Sequence, residues 1–395
     1  MGVKTLQIKQ GKTRSIERFH PWIFSGAVFN EDENIQNGDL VRVTNHKGKF
    51  LAIGHFQNAT IKVRVLTFKD QEIDQQFWND RISSAFAKRK ASGLTDDQQT
   101  NAYRLVHGEG DGLAGVIIDH YDGHVIIQAH SFGMYRSLPF LAKAIEQVYG
   151  DSLKSIYAKH DEGLKKKLNL DQKGDFLFGE SDGKVVVKEY GHLFEVDFVN
   201  GQKTGFFLDQ RENRELIAHY SKGKSVLNTF CYSGGFSVFA LKAGAEHVVS
   251  LDSSEHAISL TENNVRLNGF TQEQHESVVD DATDYMKKLP KSFDVIVLDP
   301  PAFAKHRDAR HKAIQAYKRI NSAAIRQIKE NGILFTFSCS QIIDKELFRS
   351  TILAAAIEAG RNVQVLHQMH QPQDHPINVF HPEGEYLKGL VLFVE

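Results

Sequence analysis

Cys339, in the run FTFSCSQ, and Asp299, in LDPPAF, are the residues of this 395-residue chain whose types best suit bond-making chemistry. A thiolate is the right nucleophile for carbon 6 of a pyrimidine. Its addition there makes carbon 5 an enamine-like nucleophile able to take a methyl group. A free cysteine ionises near about pH 8.5, so Cys339 must be activated by its setting or by simultaneous protonation of the ring. Asp299 could supply that proton to ring nitrogen 3 and hydrogen-bond the exocyclic amine, which marks the base as cytosine. Phe303, just beyond the prolines, could stack on a base face. Cys231, the second cysteine, reads as a small buried hydrophobe.

Such chemistry needs a donor of one carbon, and Ser225 to Asp252, SVLNTFCYSGGFSVFALKAGAEHVVSLD, is the stretch that could hold one. Val226, Leu227 and Phe230 suit a strand buried on both faces, and Ser233, Gly234 and Gly235 break it. Phe236, Phe239, Ala240 and Ala243 recur at helical spacing until Gly244, and a second strand, His247 to Leu251, ends at Asp252. In a doubly wound sheet the ligand lies beyond the carboxyl ends of the strands. The glycine turn and Asp252 would therefore face one crevice, with the carboxylate accepting both hydroxyls of a ribose. Adjacent glycines in place of G-x-G-x-x-G indicate a cradle built for something other than pyrophosphate.

The remaining elements position these tips. After Asp252 come a helix (255–268), a strand (275–279) ending in Asp280-Asp281, a helix, and the strand FDVIVLDPP. A helix (313–329), the strand GILFTFSCS, a helix (345–359) and two last strands near 363–367 and 387–394 follow. Alternating strands and helices specify a parallel sheet, and the two final strands an antiparallel hairpin. Neighbouring strands then bring Cys339 near Asp299. By its spacing from its strand, Asp281 is preferred over Asp280 for the adenine amino group. Pro300 and Pro301 fix an extended exit that holds Asp299 at the sheet edge.

Ahead of this domain, residues 1–72 alternate apolar and polar residues in short runs, with Asn37-Gly38, His46 to Gly48 and Gly54 as turns. Residues 73–188 read as a linking helix (74–92) and a mixed α/β layer. Its hairpin turns at Asp122-Gly123, its helix spans 134–149, and strands lie near 155–158 and 185–189. Glu109, Asp111, Asp119 and His120 are read as turn formers rather than a metal cluster, and Lys165 to Lys167 as a solvated turn. Residues 189–395 form the third domain.

The composition, 41% hydrophobic and 25% charged with net charge −1, is that of an ordinary globular chain. No apolar run is long enough to span a membrane, no signal segment is apparent, and two cysteines agree with a reducing compartment, so a cytoplasmic location is expected. The charge is uneven. From Lys4 to Arg18 there are five Lys or Arg against Glu17, and from Lys305 to Arg319 six against Asp308. Such islands could neutralise phosphates, through Lys305, Arg307, Arg310 and Lys312 in the second.

NTFCYSGGFS, LDSS, DPPAF, TFSCS, GQKTGFFLDQR and DHPINVFHPEGEYLKG together resemble the class I S-adenosylmethionine-dependent RNA methyltransferases. The likeness is nearest to the bacterial RlmI-like enzymes, which methylate carbon 5 of a cytosine in large-subunit ribosomal RNA. The basic start, HPWIFSGAV and GDLVRV resemble the PUA domain, an RNA-binding module. The resemblance implies a Rossmann-like seven-stranded methyltransferase domain, preceded by a small PUA-like β-barrel and a mixed α/β middle domain. S-adenosyl-L-methionine would be the cofactor, ribosomal RNA the partner, and no membrane or metal would be involved; a homodimer is compatible with it. Cys339 and Asp299 would be catalytic. Phe230, Tyr232, Ser233, Gly234, Asp252, Ser253, Asp281, Asp299 and Gln210 would hold the cofactor, and Pro300, Phe303, Lys305 and Arg307 the substrate. Many RNA cytosine enzymes carry a second cysteine after the prolines; Ala302 stands there instead. A guanine N7 or N2 enzyme, a uracil carbon-5 enzyme, and a non-catalytic RNA-binding protein remain as alternatives.

Overall fold

The computed structural model describes residues 4–31, 33–289, 292–304 and 306–395, with the backbone alone at Arg307. Contacts divide the chain into two units. One comprises 1–187, 196–206 and 373–384; the other comprises 188–195, 207–372 and 385–395.

The first unit opens with a six-stranded sheet in the order Trp22–Phe24, Ile61–Thr67, Phe50–Phe56, Leu40–Thr44, Lys4–Ile8, Val28–Glu31. Alternation drives it: Leu6, Ile8, Val41, Val43, Val63 and Val65 point into one core, while Gln7, Arg42 and Arg64 between them are only half-buried. Gly54, expected at a turn, lies inside the Phe50–Phe56 strand. A β-carbon there would stand 2.3 Å from the Arg64 carbonyl oxygen, and the register shifts beside it. A glycine inside a strand marks such a bulge or close approach as readily as a turn.

The linking helix, Gln75–Ala91, is capped by Asp74, whose Oδ1 accepts the Phe77 N–H at 3.0 Å. A five-stranded sheet follows, in the order Gly174–Phe178, Ser155–Lys159, His124–Ala129, Val116–Tyr121, Ala102–His107. Its hairpin turns at Asp122 and Gly123 with φ of +47° and +88°. Three expectations are corrected here. The helix over 134–149 is two helices, Phe132–Arg136 and Leu138–Tyr149, because Pro139 opens the second. The strand near 185–189 does not join this sheet but belongs to a two-stranded one with His192–Asp197. Lys165 to Lys167 lie on a helix, Glu162–Leu168, capped by Asp161.

The second unit holds a seven-stranded sheet in the order His275–Val279, His247–Asp252, Ser225–Thr229, Val295–Leu298, Gly332–Ser338, Lys388–Val394, Val363–Met369. The first five strands are parallel, and Lys388–Val394 runs antiparallel to both of its neighbours. Leu227, Val249, Ile296, Leu298, Leu334 and Leu392 are buried in one core with Tyr317, Ile320 and Phe348 of the covering helices. Full burial of each aliphatic side chain stabilises the fold by roughly 1.5–3 kcal/mol. From Ser225–Thr229 the chain winds outward to His275–Val279, then returns to Val295–Leu298 on the other side. That reversal leaves the crevice between crossovers at the carboxyl ends of the central strands. Among the described residues, no helix is long and apolar enough to cross a membrane.

Candidate active site

Beyond the Ser225–Thr229 strand, Phe230, Tyr232 and Gly234 take φ of +56°, +49° and +75°. Left-handed backbone costs a residue bearing a β-carbon about 1–2 kcal/mol, so this turn needs external support. Thr261 Oγ1 donates to the Tyr232 carbonyl at 3.1 Å and Asn264 Nδ2 to the Ser233 carbonyl at 2.9 Å. The Cys231 N–H donates to the Leu251 carbonyl at 3.1 Å. The adjacent glycines serve packing. A β-carbon at Gly234 would meet Thr261 Cγ2 at 2.7 Å, and one at Gly235 would meet Arg214 Cδ at 2.7 Å. Arg214 is itself fixed, donating to Glu189 at 2.6 and 2.7 Å and to the Phe207 carbonyl at 3.0 Å.

Asp252 is half-buried at the tip of the neighbouring strand. Its Oδ2 accepts the Tyr232 N–H at 3.1 Å and its Oδ1 the Ser254 N–H at 3.0 Å. Each carboxylate oxygen has two lone pairs, so both retain capacity for a further donor. Ser253 beside it is exposed. One strand further out, the Asp280 N–H donates to the Asp252 carbonyl at 3.2 Å, which brings the acidic pair beside the same edge. Asp281 is exposed and caps the Ala282–Lys287 helix, its Oδ1 accepting from the Thr283 and Asp284 N–H groups. Gln210 is buried in the turn Leu208–Gln210, and its Oε1 accepts from Asn213 Nδ2 at 2.6 Å.

On the other side of the central strand, Leu298 is the register partner of Thr336, so Asp299 and Cys339 leave neighbouring parallel strands at one edge. Cys339 Sγ lies 3.9 Å from the Pro300 carbonyl oxygen. Cys339 and Asp299 are half-buried, whereas Pro300 is buried and Pro301 exposed. Cys231 is a different case: it is 6% exposed, its sulfur lies 3.4 Å from Thr261 Oγ1, and burial pushes its thiol up to about 12. Phe303 is half-buried, and its ring packs edge-on against Tyr317 with centroids 4.7 Å apart. Lys305 and the side chain of Arg307 lie outside the described residues.

Three residues beside this edge carry no role in the sequence reading. Lys388, only 4% exposed, begins the sixth of the seven strands in sheet order, and its Nζ donates to the Ser340 carbonyl at 2.7 Å and the Tyr386 carbonyl at 2.6 Å. Burial draws its amine down to about 8, against the opposing pull of Cys339, Glu385 and Asp344. The hydroxyl of buried Tyr317 lies 3.2 Å from Ser340 Oγ. The hydroxyl of Tyr386 donates to Asp209 at 2.7 Å. The available signal was a lysine heading the otherwise apolar run KGLVLFV.

The acids set aside as turn formers are paired. Glu109 accepts from Trp22 Nε1 at 2.8 Å, Asp111 from Arg89 at 2.8 and 2.7 Å, and Asp119 from Arg104 at 2.7 and 3.0 Å.

The edge thus offers a half-buried carboxylate with spare acceptor capacity, a turn held by neighbouring side chains, and a thiol and a second carboxyl group at the ends of adjacent strands. This donor set fits a nucleoside with an attached one-carbon donor. A family model for S-adenosylmethionine-dependent methyltransferases matches residues 103–379, and one for a PUA-like domain matches residues 6–68. The chain is 39% identical over 396 residues to a ribosomal RNA large subunit methyltransferase I from Aeromonas hydrophila, covering 98% of each. It is also 39% identical, with the same coverage, to the protein of that name from Tolumonas auensis. Among solved structures, an S-adenosylmethionine-dependent methyltransferase from Streptococcus mutans matches with a TM-score of 0.84. That pair is 24% identical and the match covers 99% of this chain and 100% of the other. A methyltransferase complexed with SAH matches with a TM-score of 0.85 at 24% identity, over 99% and 100% of the two chains.

Proposed function

This chain belongs to the S-adenosylmethionine-dependent methyltransferase family, and from that premise we propose that it methylates carbon 5 of a cytosine in large-subunit ribosomal RNA through a covalent adduct on Cys339. The observation that carries the reading is the pairing of Cys339 and Asp299 at adjacent strand tips, with Cys339 Sγ 3.9 Å from the Pro300 carbonyl. The relatives at 39% identity support ribosomal RNA as substrate, and the PUA-like domain supports RNA binding.

Asp252 would hold the ribose hydroxyls of the cofactor, Phe230, Tyr232, Ser233 and Gly234 would form its cradle, and Asp281 would accept the adenine amino group. S-adenosylmethionine, when bound, supplies an electrophilic methyl group. The Cys339 thiolate adds to carbon 6 of the cytosine while Asp299 delivers a proton to ring nitrogen 3. The electron pair displaced from the 5,6 double bond makes carbon 5 nucleophilic, and carbon 5 takes the methyl group as the bond from that methyl to sulfur breaks, its electron pair staying on sulfur. Loss of the carbon-5 proton to a base then re-forms the double bond and expels the thiolate, and ring nitrogen 3 returns its proton to Asp299. Ala302 stands where many cytosine enzymes place the cysteine that assists release, so another group or water takes that proton.

The test is to incubate ribosomal RNA from a strain lacking this activity with the protein and labelled S-adenosylmethionine, and to map the product by mass spectrometry. A 5-methylcytosine that disappears with Cys339→Ala is expected. Methyl transfer to a guanine nitrogen that survives Cys339→Ala would overturn the reading, as would a methyl group on uracil.

A further inference from the structure

Lys388 is a cation in an unusual place. It heads the strand Lys388–Val394, is the register partner of Ser338, and is buried, where an ammonium costs several kcal/mol unless it is paired. Its Nζ donates to two carbonyls, that of Ser340 at 2.7 Å and that of Tyr386 at 2.6 Å. Ser340 directly follows Cys339, so the first of these bonds anchors the amine to the backbone next to Cys339, within electrostatic reach of its thiol.

The charged and titratable groups that face Lys388 are Cys339, Glu385, Asp344 and Lys345; on the thiol's side stand Tyr317 of the covering helix and Asp299 at the neighbouring strand tip, whose carboxylate would oppose a thiolate as Lys388 favours it. Both acids facing Lys388 answer other groups. Glu385 pairs with Lys345, while Asp344 caps the Lys345–Ala359 helix and lies 3.9 Å from Arg310. Cys339 is therefore the neighbour whose ionisation most directly compensates the buried ammonium, and the benefit is mutual, since a nearby cation lowers a thiol pKa.

We propose that Lys388 is a positioning residue that holds Cys339 as a thiolate, so that the nucleophile is ionised before any base arrives. The thiol proton passes to solvent, and Lys388 keeps its own. Burial draws the amine down to about 8, and the pull of Cys339, Glu385 and Asp344 together with the Ser340 and Tyr386 carbonyls favours its charged form. The catalytic consequence rests on the carbon-5 reading; the ion pair does not.

The test is alkylation of the full chain by iodoacetamide between about pH 6 and pH 10, with the Cys339 adduct quantified by mass spectrometry. The wild-type midpoint is expected below the ordinary thiol value of about 8.5. Lys388→Met is expected to raise it by about one unit, which lowers the thiolate fraction at neutral pH roughly tenfold, and Lys388→Arg to leave it near wild type. Cys231, buried with its thiol near 12, serves as the silent control. S-adenosylmethionine binding by calorimetry verifies that Lys388→Met is folded. A wild-type midpoint at or above about 8.5 would overturn the proposal without any variant, and so would a folded Lys388→Met with an unchanged midpoint. A trap with 5-fluorocytidine RNA and S-adenosylmethionine separates the two readings. A Lys388-dependent thiolate that forms no RNA adduct sinks the carbon-5 reading and leaves the ion pair standing.

Discussion

At the scale of single residues, Asp252 is the carboxylate proposed to accept the ribose hydroxyls of the cofactor, and its replacement tests that role. Hydrogen bonds to a charged acceptor are worth about 1.5–3 kcal/mol each. Asp252→Ala would remove the proposed acceptor for the ribose and also release the Tyr232 and Ser254 N–H groups that shape the turn. Calorimetry should find S-adenosylmethionine affinity reduced by at least about tenfold, the equivalent of roughly 1.4 kcal/mol; unchanged affinity would remove Asp252 from the site. Cys339 and Asp299 were legible in the sequence because each ends a run that could only be a buried strand. Lys388 was not, since alternation along a chain says nothing of what an antiparallel neighbour places alongside, and here that neighbour is the Gly332–Ser338 strand.

At the scale of elements, the glycine turn is coupled to the Glu255–Leu267 helix and to Arg214. Gly234→Ala would place a β-carbon 2.7 Å from Thr261 at a φ of +75°. Strain of about 1–3 kcal/mol is expected, visible as a lower urea midpoint with an unchanged slope. Glu189→Gln leaves the Arg214 guanidinium, which has 4% side-chain exposure, without its carboxylate partner. Breaking a buried pair from one side costs about 3–5 kcal/mol, so this variant should melt far below wild type; a melting temperature within a few degrees would show that the pair is not needed. The sequence marked the parallel strands of the large sheet closely but did not mark Gly174–Phe178, whose residues are mostly exposed and so carry little apolar pattern. It assigned 185–189 to the wrong sheet because a strand's own residues specify that it pairs, not with whom.

At the scale of the whole molecule, titration and charge distribution govern behaviour. His55 and His275 are buried and His120 half-buried with its ring desolvated, and burial draws each imidazole down to about 4. Unfolded histidines titrate near about 6.5, so between about 6.5 and 4 the unfolded chain binds protons that the folded chain does not. Stability must therefore fall as pH drops through that window. Melting temperatures measured at falling pH should decline, and a flat profile would contradict the burial of neutral imidazoles. Arg310 and Lys312 are exposed at the start of the Arg310–Gln327 helix. If they contact phosphates, replacing both by alanine should flatten the dependence of log affinity on log salt for single-stranded RNA by about 1.4. An unchanged slope would place the phosphate contact elsewhere.

The chain by itself determined that a parallel α/β sheet carries acids and a thiol at its tips, because burial on both faces leaves an unmistakable apolar run and glycine or proline ends it. It also determined that the first 70 or so residues are short alternating strands. Only tertiary structure decided which tips stand side by side, that the glycines at 234 and 235 make room for Thr261 and Arg214, and that a lysine from the penultimate strand of the sheet sits beside Cys339. The reason is one of range: periodicity and turn chemistry act over a few residues, whereas strand order and close approach join residues up to tens or hundreds of positions apart.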